Sequence, residues 1–435
     1  MDSIKVGLLG LGVVGGGTYK VLARNAQEIA RRAGRKIEVT RVAVRDVAKA
    51  RKLLGADILV GTDPHAVVRD PSIDIVVELI GGDTLALELV LEAIAQGKHV
   101  VTANKALLAK HGTEIFAAAS ARGVMVAFEA AVAGGIPIIK AIREGLTANR
   151  IEWVAGIING TTNFILSEMR ARGLPFATVL AEAQKLGYAE ADPTFDIEGV
   201  DAAHKLTLLA SLAFGIPVQF DKAYIEGISQ LAAEDIKLAE RLGYRIKLLG
   251  ITKRRPEGIE LRVHPALVPV KSLLANVEGA MNAVLVRGDA VGQTLYYGKG
   301  AGEEPTASAV VADLVDVTRL HTADPEHRVP HLAFQPDAMA DTPILAIDDI
   351  VTSYYLRLTV ADQPGVLADL ARVLADAKIS IGSMIQQPAE QSADAELIFL
   401  THEAIERNVN AAIGKIEALP FVRSRVTRLR MESLA

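Results

Sequence analysis

Ile4-Lys-Val-Gly-Leu-Leu-Gly10-Leu-Gly12-Val-Val-Gly15 runs from a short apolar stretch straight into a glycine-rich turn. The apolar stretch has the character of a buried strand, and the periodicity from Val13 to about Ala33 predicts a helix. Between them the glycines keep a G-x-G-x-x-G spacing, which is informative because it sits between a strand and a helix. Gly10 permits the tight turn, Gly12 lets a pyrophosphate approach the backbone, and Gly15 lets helix and strand pack closely. The first helical residues, Val13 and Val14, carry free N–H groups at the positive end of the helix dipole, where phosphates bind.

Downstream, Ile37–Val44, Ile73–Ile80, Lys98–Thr102 and Val124–Phe128 read as further strands, with a helical pattern over Ala86–Ala95. Nearly all-apolar strands separated by helices indicate a parallel sheet covered on both faces. The expectation is an α/β Rossmann nucleotide-binding domain over residues 1–135. At the end of the second strand Arg45 precedes Asp46, with Lys49 and Arg51 a turn later. An arginine here suits the 2′-phosphate of NADP, an acid the free ribose hydroxyl of NAD. Arg45, backed by other cations, makes NADP(H) the preferred cofactor; Asp46 leaves NAD(H) open.

Past Gly135 the rhythm changes. Ile151–Ile158 reads as a strand and helices dominate from Thr162 to Phe214. Gly258–Val270 and Ala283–Tyr297 then alternate like antiparallel strands, with Arg287-Gly-Asp289 as a hairpin turn. Residues 136–320 are therefore a second, α+β domain. Residues 321–352, with His321, Pro325, His327, Pro330, His331 and Pro336, read as a linker. A βαββαβ unit occupies 353–431. Its expected strands are Tyr355–Val360, Ile379–Gln386, Glu396–His402 and Val422–Leu429; its helices are Gly365–Ala377 and Ile405–Ala418.

Composition narrows the function. A length of 435 residues suits two or three domains, and a chain that is 50% apolar and 23% charged can bury large cores. The net charge of −5 gives no electrostatic case for nucleic acid. Cysteine is absent, which removes disulfides, thiolate metal sites and cysteine nucleophiles. No apolar run approaches the ~18 residues of a membrane span, and the N-terminus reads as a strand rather than a secretion signal. A cytoplasmic enzyme or sensor is expected, with no membrane partner.

The chemistry concentrates in two places. Thr102-Ala-Asn-Lys105 follows a buried strand, and ligand crevices in open α/β sheets lie at the C-terminal strand ends. The second cluster holds Glu190, Asp192, Asp196 and Glu198, then Asp201 and Lys205 four apart on one helix face that continues through Leu208 and Leu212. An exposed pair of this kind is worth only a few tenths of a kcal/mol. A partly buried one is a candidate site, since burial lowers a lysine pKa while the aspartate raises it, tuning a general acid.

These stretches resemble the homoserine dehydrogenase family, in the long form with a C-terminal ACT domain. The likeness covers the whole chain and rests on motifs in order: 10–15, Thr-Ala-Asn-Lys at 102–105, Glu-Ala-Ala-Val-Ala-Gly-Gly-Ile-Pro at 129–137 and Gly-Ile-Ile-Asn-Gly-Thr-Thr-Asn at 156–163. Gly-Tyr-Ala-Glu-Ala-Asp-Pro follows at 187–193, then Asp-Ile-Glu-Gly-Val-Asp-Ala-Ala-His-Lys at 196–205 and Gly-Lys-Gly-Ala-Gly-Glu-Glu-Pro at 298–305. The resemblance implies that 136–320 is the catalytic and dimerisation domain of a homodimer or homotetramer. It implies NAD(P)-linked interconversion of L-aspartate 4-semialdehyde and L-homoserine, on the route to threonine, methionine and isoleucine. Lys205 would be the proton donor, Asp201 its orienting partner and part of the substrate site, Glu190 the ligand of the substrate amino group, and Lys105 a contact of substrate and cofactor. Gly302 would touch the cofactor. A structural sodium ion would be held by the carbonyls of Glu129, Val132, Gly134 and Ile136.

The βαββαβ unit resembles an ACT domain, with Asp362, Gln363, Gly365 and Val366 at its first strand-to-helix turn as the implied effector site. The implied effector is threonine, and removal of the chain from Tyr354 onward is expected to abolish inhibition and spare catalysis. Two related enzymes fit less well. 3-Phosphoglycerate dehydrogenase carries its glycine fingerprint mid-chain, and aspartate-semialdehyde dehydrogenase needs a cysteine. A rival from another class is a non-catalytic amino-acid sensor with a relic nucleotide fold, which would have little reason to retain Glu190, Asp201 and Lys205 together.

Overall fold

The computed structural model describes residues 3–388 and 394–434. Continuous aliphatic runs form β1 (Ile4–Leu9), β2 (Ile37–Ala43), β3 (Leu59–Gly61), β4 (Ile75–Glu78), β5 (His99–Thr102) and β6 (Val126–Ala127). They pair in parallel in the order β3-β2-β1-β4-β5-β6. The order reverses between β1 and β4, the switch point where doubly wound sheets bind ligands. The helix expected to run to Ala33 is two, Val13–Arg24 and Ala26–Ala33, because Asn25 leaves helical geometry at ψ 18°. One face of this sheet is covered by the helix Glu303–Leu320, whose Val310, Leu314 and Val317 pack with Val6, Leu8 and Ile75. That helix comes from the stretch expected to belong to the second domain.

The remaining strands build one mixed sheet. They are β7 (Ile151–Ile157), β8 (Tyr224–Ile225), β9 (Tyr244–Arg255), β10 (Gly258–Pro269), β11 (Met281–Gly288) and β12 (Gly292–Lys299), then β13 (Val351–Ala361), β14 (Ile381–Pro388), β15 (Asp394–Thr401), β16 (Ala404–Ile405) and β17 (Thr427–Met431). The main path is β12-β11-β7-β9-β10-β17-β13-β15-β14, with β8 on β10 and β16 on β13. The helix Val200–Phe214 is almost wholly buried and packs on β7, β9 and β10. The hairpin turn lies at Asp289–Val291, two residues beyond the expected Arg287-Gly-Asp289. Asp289 is drawn to the Arg150 backbone, accepting from its N–H at 2.9 Å, while Arg287 stays in the strand and pairs with Glu152.

The βαββαβ unit forms with helices Val366–Asp376 and Glu406–Glu417, but it is not a separate sheet. β17 pairs antiparallel with β13 and parallel with β10, setting Arg430 and Met431 opposite Ala266 and Leu267. β17 also begins later than expected. Val422 makes only an isolated bridge to Val360. Residues 321–352 lie pinned along the second domain. Ala340 N–H donates to the Gly215 carbonyl at 2.7 Å, and Leu345 N–H to that of Ile259 at 2.9 Å.

Candidate active site

The glycine turn has the geometry its spacing demands. Gly10 adopts φ 91°, and a Cβ there would stand 2.8 Å from the Leu79 carbonyl oxygen. At Gly15 a Cβ would stand 2.3 Å from the Gly10 carbonyl oxygen, whereas at Gly12 it would meet nothing within 4 Å. Gly12 therefore faces open space at a helix start with no side-chain cap, Val13 is 69% exposed beside it, and Val14 is half-buried. Asp46 caps the helix Val47–Arg51 by accepting from Lys49 N–H at 2.9 Å. Arg45 is exposed and has no polar partner among the described residues. Gly302, at φ 128°, starts the helix Glu303–Leu320 beside the first helix, where a Cβ on Gly17 would meet the Glu303 carbonyl oxygen at 2.8 Å.

Lys105 is presented by a built loop. The buried Glu78 accepts from Thr102 Oγ1 at 2.7 Å and from Ile80 N–H at 2.9 Å. Asn104 donates to the Gly82 carbonyl at 2.6 Å and caps the helix Lys105–Arg122 by accepting from Leu107 N–H at 3.1 Å. From this helix start Lys105 Nζ reaches Asp201 Oδ1 at 3.1 Å, across the seam between the two domains.

Asp201 is the centre of the constellation. Its other oxygen accepts from Lys205 Nζ at 2.6 Å and from Asn159 Nδ2 at 2.8 Å. Lys205 also donates to the Ile158 carbonyl at 2.8 Å, at the end of β7. Both side chains are buried. Burial opposes ionisation of Asp201, but the two lysines outweigh it and hold the carboxyl well below the usual carboxylate range. Burial pushes the Lys205 ammonium below the ordinary lysine value; Asp201 resists that fall and Lys105 adds to it. A buried, firmly anchored cation that gives up its proton more readily than usual is equipped for acid–base work. The third Lys205 proton has no protein acceptor among the described residues.

Of the expected set, Asp201, Lys205 and Lys105 converge, and Glu190 does not join them by any hydrogen bond or ion pair. Its side chain is exposed on a loop that Gln184 ties down through the Glu190 and Ala191 carbonyls. Two residues that sequence reasoning left without a role are Asn159 and Asp196. Asn159 donates to Asp196 at 2.7 Å as well as to Asp201, and its own oxygen caps the helix Gly160–Arg172. An Asn-Gly-Thr-Thr start was a readable capping signal, but the amide's second task depends on a helix far along the chain. His204, beside Lys205, is clamped between Phe195 and Phe220, and burial lowers its ring to about 4 against the pull of Asp201.

The Glu129–Ile136 turn is buried and irregular, with consecutive left-handed residues at Ala133 (φ 55°) and Gly134 (φ 49°). The Val132 and Gly134 carbonyls accept no backbone hydrogen bond among the described residues. In the βαββαβ unit, a cavity of about 180 Å³ opens at Asp362–Leu367 and is closed by Gln386, Ala395 and Leu397.

A model of the homoserine dehydrogenase catalytic region matches residues 137–315, one of the homoserine dehydrogenase NAD-binding domain matches 10–129, and the ACT domain matches 354–421. Homoserine dehydrogenase of Pseudomonas aeruginosa is 63% identical over 435 residues, with 100% of both chains covered. The chain belongs to the homoserine dehydrogenase family. A crystal structure of a homoserine dehydrogenase from Thiobacillus denitrificans superposes with TM-score 0.96 at 69% identity, covering 100% of this chain and 99% of that one. A hyperthermophilic archaeal homoserine dehydrogenase in complex with NADPH matches at TM-score 0.63 and 25% identity, covering 74% of this chain and 99% of that one. Membership fixes the activity as that of an NAD(P)-dependent oxidoreductase with a C-terminal ACT domain. No helix among the described residues is long and apolar enough to cross a membrane.

Proposed function

We propose that Lys205 is the proton donor in reduction of L-aspartate 4-semialdehyde to L-homoserine, and the acceptor in the reverse direction. The observation that carries this is the buried Lys105–Asp201–Lys205 cluster at the domain seam. The dinucleotide bound at the Gly10–Gly15 turn supplies the hydride. As negative charge builds on the carbonyl oxygen, the Lys205 ammonium neutralises it and transfers its free proton. Asp201, held in place by Asn159, fixes the amine's direction. Lys105 contacts substrate and cofactor, and the exposed Glu190 carboxylate takes the substrate ammonium. A relic sensor would not need so complete a set of hydrogen bonds around one buried lysine. With NADPH and aspartate semialdehyde, Lys205→Ala should bind cofactor normally and lose most turnover, at least 10²-fold for a lost general acid; undiminished turnover would reject the assignment.

The finer readings have their own supports. Arg45 is free while Asp46 is spent on a helix cap, which favours NADP(H) over NAD(H), and the archaeal relative was solved with NADPH. The unpaired Val132 and Gly134 carbonyls, with those of Glu129 and Ile136, suit a sodium ion that braces the turn. The cavity at Asp362, Gln363, Gly365 and Val366 suits a small amino acid, and threonine, product of the route that homoserine feeds, is the proposed inhibitor. Threonine should slow the wild type and leave Asp362→Ala running at its uninhibited rate; equal inhibition of both would discard this site. The exposed edge of β12, with Tyr297 57% exposed, offers a second copy a surface for a cytoplasmic homodimer or homotetramer. A monomeric mass in solution would reject that assembly.

A further inference from the structure

Glu226 sits where the ACT strand meets the catalytic helix. Its carboxylate accepts from Arg430 Nη1 at 2.8 Å and from the Tyr224 hydroxyl at 2.6 Å, with Arg428 at 3.5 Å. Both arginines lie on β17, and both also pair with Glu406 at the start of an ACT helix, at 2.6 Å from Arg430 and 2.8 Å from Arg428. Arg430 is 1% exposed, so its charge is committed to these two carboxylates. The Glu226 N–H donates to the Val263 carbonyl of β10 at 2.8 Å, which pins the segment from the other side.

The next residues touch the active-site scaffold backbone to backbone. A Cβ on Gly227 would stand 2.6 Å from both the Ile197 carbonyl oxygen and Glu198 Cα. Ile228 N–H donates to that same Ile197 carbonyl at 2.9 Å. Ile197 ends the short helix Thr194–Ile197, which carries Asp196, and Asp196 shares the Asn159 amide with Asp201. A Cβ on Gly199, where the Asp201–Lys205 helix begins, would stand 3.1 Å from Val263 and 3.3 Å from Ile225. Contacts this close leave no slack, so a shift on one side is passed to the other.

We propose that Glu226 is a positioning residue: clamped by Arg428 and Arg430, it holds Gly227 and Ile228 against the start of the catalytic helix and so ties the ACT strand to the placement of Asp201 and Lys205. The inference rests on the reading of Lys205 as proton donor. Lys205 is faced by Asp201 on its own helix, Lys105 on the nucleotide-domain helix and Asp196 on the short helix. Loosening the clamp lets Asp201 drift and withdraws the strongest support of the ammonium.

In the full-length enzyme, Glu226→Gln should lower kcat several-fold and move the alkaline limb of aldehyde reduction to lower pH, with KM for NADPH unchanged. Glu226→Asp should recover part of both effects. Arg428→Gln, which leaves Arg430 in place, should shift the limb in the same direction by less, and serves if Glu226→Gln does not fold. An alkaline limb at the wild-type pH in these variants would overturn the proposal, whatever happens to their melting temperatures. Lys205→Ala separates the two readings: if it retains turnover the proton-donor assignment fails, and if it alone is impaired only the coupling fails.

Discussion

Asp201 answers to two lysines at once, and the sign of each effect can be read from the geometry. Lys205 is supported as a cation by Asp201 and opposed by Lys105. Removing the carboxylate charge in Asp201→Asn should carry the alkaline limb of aldehyde reduction to lower pH. Removing the neighbouring cation in Lys105→Met should carry it to higher pH. Opposite displacements in the pH profiles of kcat would establish the cluster as one electrostatic unit; shifts of the same sign would break it. At this scale the sequence was most legible where chemistry is local. The tasks of Gly10, Gly12 and Gly15 follow from backbone sterics within one turn: a Cβ would collide at Gly10 and Gly15 and meet nothing within 4 Å at Gly12. The pairing of Asp201 with Lys205 follows from helical spacing. Asn159 could not be read in the same way, because its amide meets Asp196 and Asp201 only after distant segments have packed.

Among the elements, β17 departs furthest from what its residues suggest. The last strand expected in the βαββαβ unit forms at Thr427–Met431 and runs through the middle of a shared sheet. Its charges are answered from both sides, by Glu406 in the ACT domain and Glu226 in the catalytic domain. Just beyond it, the buried Glu432 pairs with Arg262 of β10 at 2.6 Å and with Lys253 of β9 at 2.9 Å. Cutting the chain before Tyr354 therefore removes more than an effector site. It takes from the buried Arg262 one of its two carboxylate partners, leaving Glu260 at 2.9 Å, and breaking a buried pair of this kind costs about 3–5 kcal/mol. The clean separation of inhibition from catalysis expected for that deletion should fail. A chain ending at 353 should melt below the full-length enzyme and lose turnover without any effector, and native values of both would refute the argument. Acid should act through the same pair. Burial opposes ionisation of Glu432, but Arg262 and Lys253 hold its folded pKa below the ordinary glutamate value of 4.5, so its stabilisation is complete above that pH and is lost as pH falls through the lowered value. In melting curves taken down a pH series, Glu432→Gln should flatten the acid-induced fall.

Across the whole molecule, the division into a doubly wound nucleotide domain, an α+β domain and a βαββαβ unit was visible in the alternation of strands and helices. What could not be seen is how far the three interlock. The strand-and-helix grammar of residues 4–135 already satisfies a doubly wound sheet, and nothing local announces that Glu303–Leu320 returns to cover it. The same holds for residues 321–352, whose irregular prolines give no periodic face although the segment is hydrogen-bonded along the catalytic domain.

That returning helix places a condition on synthesis. The apolar face formed by Val6, Leu8 and Ile75 is closed by Val310, Leu314 and Val317, which leave the ribosome long after it. At ~5–20 residues per second, the nascent sheet waits on the order of ten to fifty seconds for its cover. Arg262 waits in turn for Glu432, 170 residues further along. The order in which these segments are spelled therefore leaves an apolar face open until its cover is made, the condition under which nascent chains call on chaperones.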